Sequence, residues 1–211
     1  MIRRRLSLRP LCAALLSATL LVGCVSLLPE PEQLTGLYTL AHPTDYTAVE
    51  GGDVDGPTLA LGTPSAPRAY ASDEIAVRAP DGGLKFLPGA RWADTAPRLL
   101  QDLVLDQLAR QGLTPAPLTA GVNPDYEITW RVRAFEADID TPNPQARIVI
   151  DALVMEPERK DIQSITVTQE RPISGDPNTA ASIIDAMRSV ARDAARTLAE
   201  DAETFVRERE G

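Results

Sequence analysis

The chain has 211 residues, with 30 Asp and Glu against 21 Lys and Arg, for a formal charge of −9. One His and two Cys exclude a His-rich metal cage, a zinc ribbon and a disulfide-dense scaffold, and the acid excess argues against a nucleic-acid binder. At 44% hydrophobic the length suits one core of ordinary size, and with only 3 Phe, 2 Trp and 4 Tyr that core must be mostly aliphatic.

Residues 1–23 read as a lipoprotein signal peptide. Arg3, Arg4, Arg5 and Arg9 make a positive start, and no acid precedes Glu30. Leu11 to Val22 is a 12-residue apolar stretch broken only by Ser17 and Thr19, short of the roughly 20 residues that span a bilayer. It runs into Leu21-Val22-Gly23-Cys24, which resembles a bacterial lipobox in which Cys24 is lipidated and becomes the mature first residue. The alternative is a soluble secreted protein cut nearby, with Cys24 a bystander. In the lipoprotein reading Cys12 leaves with the signal, and 17 basic residues face 30 acids, a net of −13. Two or more acyl chains anchor stably where one does not. Similarity to other lipoproteins points to the outer membrane, because Val25 stands where an Asp would favour inner-membrane retention. Residues 24–36, with Pro29 and Pro31, form a short tether. Its 12 residues after Cys24 reach at most about 40 Å, so the single domain of residues 37–211 should sit close to its membrane.

Leu37 to Leu40 is expected to be a first short strand, and Thr58 to Leu61 a second inside the Gly- and Pro-rich stretch from His42 to Pro67. Ser72–Val77 and Gly83–Leu87 read as a hairpin turned through Pro80-Asp81-Gly82. Asp94 to Gln111 is expected to be a helix of about 27 Å, N-capped by Asp94, with Pro97 in its first turn and Leu99, Leu100, Leu103, Val104 and Leu108 on its apolar face. Three strands should follow. In the first, Tyr126, Ile128, Trp130, Val132 and Ala134 alternate with Glu127, Thr129, Arg131, Arg133 and Phe135. Arg147–Met155 reads as a central strand and Asp161–Gln169 as an edge. Asp176-Pro177 opens a last helix with Ile183, Met187, Val190, Ala194 and Leu198 in its stripe, expected to run into solvent beyond Ala199. The order implies an α+β two-layer sandwich, a mixed or antiparallel sheet covered by two helices.

Chemistry is sparse. His42 adjoins Pro43 in a loop, and no G-x-S-x-G or phosphate-cradling glycine motif is present. Asp53-Val54-Asp55-Gly56 resembles the middle of a calcium loop but has Gly51 and Gly62 where acids are required. Asp138, Asp140 and Asp151 around a hairpin could pair for acid–base work, yet in an acidic chain such residues are ordinarily solvated charge. Leu84, Phe86 and Leu87 before Trp92 offer an apolar cluster, with Trp92 itself expected as core. No enzyme activity, metal or cofactor is expected.

The lipobox at Cys24 is followed by Tyr38-Thr39-Leu40, then Tyr70-Ala71-Ser72-Asp73-Glu74-Ile75, then Leu87-Pro88-Gly89-Ala90-Arg91-Trp92-Ala93-Asp94 with Pro97 and Leu99-Leu100-Gln101. Together these resemble the ABC-type transport auxiliary lipoprotein family, the PqiC-like lipoproteins, most specifically in the Arg-Trp-Ala-Asp step. The resemblance implies a non-enzymatic outer-membrane accessory that docks on an MCE-domain protein with its ABC permease and ATPase. Such systems move lipids or hydrophobic molecules between the two membranes. It also implies a homo-oligomeric ring with head-to-tail interfaces, and makes Tyr38, Arg91, Trp92, Asp94, Pro97 and Gln101 family-motif residues of structural or interface role. The competing reading is an envelope lipoprotein of similar fold that activates or scaffolds cell-wall synthesis, a job that calls for a longer tether.

Overall fold

The computed structural model describes residues 36–41, 56–121, 123–157 and 161–211. The signal, Cys24, the tether up to residue 35, His42, Asp53 and Asp55 lie outside them, and Gly36, expected as the end of the tether, is the first residue of a strand. In chain order the elements are β1 (Gly36–Tyr38), β2 (Thr58–Leu61), β3 (Glu74–Arg78), β4 (Leu84–Trp92), α1 (Ala96–Arg110), β5 (Thr114–Pro117), β6 (Tyr126–Asp138), β7 (Gln145–Glu156), β8 (Asp161–Pro172) and α2 (Ala180–Glu210). The class is α+β, with a mixed sheet under two helices.

β6 is the hub. One of its edges pairs antiparallel with β7 along its whole length, and β7 in turn pairs antiparallel with β8, which ends the sheet on that side. Thirteen residues, about 43 Å of strand, leave room for two partners on the other edge. β2 takes the first part in parallel, with Leu59–Leu61 beside Tyr126–Ile128, and Ser65 bridges to Arg131 farther along. β3 takes the last part, with Val77 and Arg78 beside Ala137 and Asp138. The sheet therefore forks, toward β5 through β2 and toward β4 and β1 through β3.

Both helices belong to one core with the inner sheet face. α2 places Ile183, Met187, Val190, Ala194 and Leu198 against β6, β7 and β8. It does not run out into solvent past Ala199. Ala202, Phe205 and Val206 are buried, the Phe205 ring meets Tyr126 edge-on at 6.1 Å, and the Tyr126 hydroxyl donates to Glu210 at 3.0 Å. Of the charges that suggested fraying, Glu200, Arg207 and Glu208 stay exposed, whereas the Arg209 guanidinium lies over the Phe205 ring, 3.6 Å from its centroid. Among the described residues no helix is long and apolar enough to cross a membrane.

The N-cap of α1 is Thr95, one residue later than the sequence suggests, and it makes no side-chain cap bond. Asp94 Oδ1 instead accepts from the Thr95 N–H at 2.6 Å. The alternation of β6 also breaks. Its register against β7 shifts between Val132 and Ala134, so one extra residue enters at Arg133 and parity reverses beyond it. Phe135, expected on the outer face, is core at 2% exposed.

Thr58 and Asp125 clasp the starts of β2 and β6. The Thr58 N–H and Oγ1 donate to Asp125 Oδ2 at 2.8 and 2.7 Å. The hydroxyl bond first, then the backbone bond, holds the Asp125 carboxyl below the usual carboxylate range. A depressed folded-state pKa contributes stability above the unfolded value of about 4, lost as pH falls through the folded value. Asp125→Asn should flatten the acid limb of a Tm-versus-pH curve, and an unaltered acid slope would show the clasp contributes nothing.

Candidate functional site

The motif residues converge where β4 gives way to α1. Trp92 is the last residue of β4, and β1 lies parallel to it with Tyr38 in register with Trp92. Three backbone bonds close the junction: Trp92 N–H to Asp73 O at 2.7 Å, Ala93 N–H to Tyr38 O at 2.7 Å, and Ala96 N–H to Ser72 O at 3.0 Å. The turn between strand and helix is thus fastened to both β1 and the segment leading into β3. Trp92 drops into the core, 1% exposed, and stacks on Phe135 with centroids 5.8 Å apart and planes 15° from parallel.

The other motif residues have distinct tasks. Gln101, 4% exposed, donates from Nε2 to Leu61 O at 3.0 Å and accepts from Thr63 Oγ1 at 2.9 Å. It ties α1 to the chain leaving β2, which then reaches Ser65 and β6. Pro97 is buried in the first turn of α1, where its missing N–H removes no helical bond. Arg91 is half-buried, with Nη1 3.3 Å from Asp73 and 3.5 Å from Glu74. Asp94 is exposed, 4.0 Å from Arg98. The Arg188 guanidinium sits 5.8 Å from the Tyr38 ring centroid and donates through Nε to Thr39 O at 2.8 Å, joining β1 to α2. Trp92, Pro97 and Gln101 therefore face inward, while Arg91, Asp94 and the edge of Tyr38 form the outer rim.

A second buried polar group was not legible in the sequence. Glu136 lies on the outer side of β6 at 2% exposed, beneath the 3-10 turn Arg68–Tyr70. The Tyr70 hydroxyl donates to its Oε2 at 2.5 Å, and Arg78 grips both oxygens, with Nη2 at 2.5 and 2.7 Å and Nε at 2.8 Å from Oε1. Burial, and then the carboxylate beside it, push the Tyr70 hydroxyl well above the ordinary tyrosine value. The only sequence signal is the Phe135-Glu136 pair that breaks the alternation.

Of the candidate acid–base carboxylates, Asp151 does not come together with Asp138. Asp138 is opposite Gln145 at the end of β6, whereas Asp151 is opposite Arg131 in the middle of β7, roughly 20 Å along the ladder. Asp151 accepts from Arg131 at 2.7 Å and Thr166 at 3.3 Å, with Arg133 at 3.7 Å. The Arg131 bond chiefly holds its carboxyl below the usual range, which suits a fixed anion and not a proton carrier. Arg131, Asp151 and Thr166 line an open depression of about 600 Å³ on the sheet face away from the helices, with Leu153 and Ser164. The apolar cluster ahead of Trp92 is divided, since Phe86 is 40% exposed while Leu87 packs against the core.

The family model for the ABC-type transport auxiliary lipoprotein component matches residues 38–199, from the motif tyrosine into the second half of α2. The chain belongs to that family. Among solved structures it is similar to a protein of Xanthomonas campestris, with a TM-score of 0.64 and 23% identity over 83% of this chain and 96% of that one. A protein of Chlamydia trachomatis is similar at a TM-score of 0.50 and 9% identity, over 72% of this chain and 98% of that one. At these identities the likeness is one of fold. No curated protein matches the chain. The matched family makes this chain an auxiliary lipoprotein component of an ABC-type transport system, associated with the cell envelope.

Proposed function

We propose that this chain is a non-enzymatic, lipid-anchored accessory subunit of an MCE-type ABC transport system, held on the periplasmic face of the outer membrane. There it serves the passage of lipids or other hydrophobic molecules between inner and outer membranes. Its partners are an MCE-domain protein with its permease and ATPase, and further copies of itself in a ring. The observation that carries this reading is the family match over residues 38–199. The lipobox ending in Cys24, followed by a tether of only 12 residues to Gly36, supports a body kept within about 40 Å of its own membrane. A receiving station fits that reach better than a protein that works across the periplasm.

Mass spectrometry of what co-purifies after gentle detergent extraction from native membranes tests the proposal. Recovery of an MCE-domain protein with its permease and ATPase is the expected result, and bound lipid in that complex would name the cargo. A cell-wall synthase in their place would overturn it. The anchor has its own test. Cys24→Ala should leave the domain folded but move it from the membrane fraction to the soluble fraction, and a variant that stays with the membrane would remove the lipid-anchor claim.

A further inference from the structure

Among the described residues the sheet ends in three edges, at β1, β5 and β8, and they are built differently. β1 is three residues long. β5 carries Pro115 and Pro117. The Thr114 N–H donates inward to Pro57 O at 3.1 Å, so alternation turns the nitrogens of residues 115 and 117 outward, where proline has no N–H to offer. That edge is closed to pairing.

β8 has no such protection before its last residue, Pro172. Its 12 residues pair with β7 without a register shift. In the same register the Ile173 N–H donates to Pro144 O at 2.9 Å. Odd-numbered residues therefore bond to β7, and the backbone groups of Ile162, Ser164, Thr166, Thr168 and Glu170 point away from it. Among the described residues no backbone group meets them, and Arg171 Nη1, 3.1 Å from Glu170 O, is their side-chain contact. A long, regular, unblocked edge is a template for another strand.

The sequence of that edge is complementary to itself. We propose that β8 pairs antiparallel with the β8 of a second copy about a two-fold axis through Thr166. In this register Thr166 meets the partner's Thr166, Ser164 meets the partner's Thr168, and Ile162 meets the partner's Glu170. All five outward N–H groups and all five outward carbonyls then lie in hydrogen-bonded pairs. Between them Ile165, buried beneath α2 at 5% exposed, stands opposite the partner's Val167, which extends the apolar inner face across the seam. Asp161 stands opposite the partner's Arg171 at both ends. Their side chains are 56% and 44% exposed, with in-chain partners Arg209 at 3.9 Å and Asp193 at 2.7 Å. Moving the axis to Ser164 or Thr168 would set Arg171 against Pro157 or Ile165 instead, so opposite-charge pairing selects the register. This contact is isologous, whereas a ring is built head to tail. It goes beyond the transport reading and does not depend on it.

Cysteine cross-linking in the full-length lipoprotein, in its own membranes, tests the pairing. Thr166→Cys sits on the axis, where hydrogen-bonded residues lie about 5.5 Å apart, within disulfide reach. Thr168→Cys has the same face and exposure, but its copies lie four residues apart, about 13 Å. After mild oxidation Thr166→Cys should give at least ten-fold more dimer than Thr168→Cys or the parent chain. Adding Ser164→Pro, which removes one outward N–H and no bond to β7, should lower that dimer about ten-fold with Tm unchanged. Equal cross-linking of the two positions, cross-linking of neither, or a dimer indifferent to Ser164→Pro in a chain of native Tm would each overturn the proposal.

Discussion

Trp92→Ala should destabilise the fold by about 3–5 kcal/mol, a fall in Tm of roughly 6–20 °C for a domain of this size. Trp92 supplies one of the largest fully buried side chains in an otherwise aliphatic core. Its removal forfeits the transfer free energy of the indole, leaves a cavity, and takes away the stack on Phe135. The surroundings have little freedom to collapse, because the backbone of Trp92 is held by Asp73 and that of Ala93 by Tyr38. Trp92→Phe should retain part of the stack and lose much less. Chemical denaturation of the two variants measures both effects. An unchanged midpoint for Trp92→Ala, together with loss of partner binding, would reassign the residue from core to interface.

That burial was legible from residue type and position, as were the helices and most strands, because hydrophobic period and turn residues are local signals. β5 was not. Pro115, Ala116 and Pro117 all run against strand propensity, and the strand survives because only its inward side must donate hydrogen bonds. The far end of α2 was misread for a related reason. Its charges outnumber its apolar residues, yet Ala202, Phe205 and Val206 keep the helical spacing that holds one side on the sheet. The bulge at Arg133 is a tertiary event, and a strict period of two necessarily sends Phe135 and Glu136 to the wrong faces beyond it. Gln101 could be singled out by family resemblance alone, since nothing local in a helix says that a glutamine will reach the carbonyl of Leu61. The motif thus combines residues that shape the junction with a rim, Arg91 and Asp94, that the junction presents.

Glu136→Ala should be the most damaging loss of a polar group. A buried ion pair deprived of one partner ordinarily costs about 3–5 kcal/mol. Arg78, with its side chain 36% exposed, can turn to water, which brings the expected cost to about 2–3 kcal/mol, much of it from the stranded Tyr70 hydroxyl. If Tyr70 and Glu136 act through their shared bond, Tyr70→Phe should cost less in the Glu136→Ala background than in the parent, with a coupling of about 0.5–3 kcal/mol. Strict additivity would mean that the 2.5 Å contact carries no stability. The pair also sets an alkaline signature. A tyrosine whose folded-state pKa is raised supports the fold fully below the unfolded value of about 10, and that support is lost as pH rises toward the folded value. Stability should therefore decline above about pH 10, and Tyr70→Phe should flatten the decline. Glu136→Gln should flatten it only in part, because burial, the larger cause of the shift, remains when the carboxylate is gone.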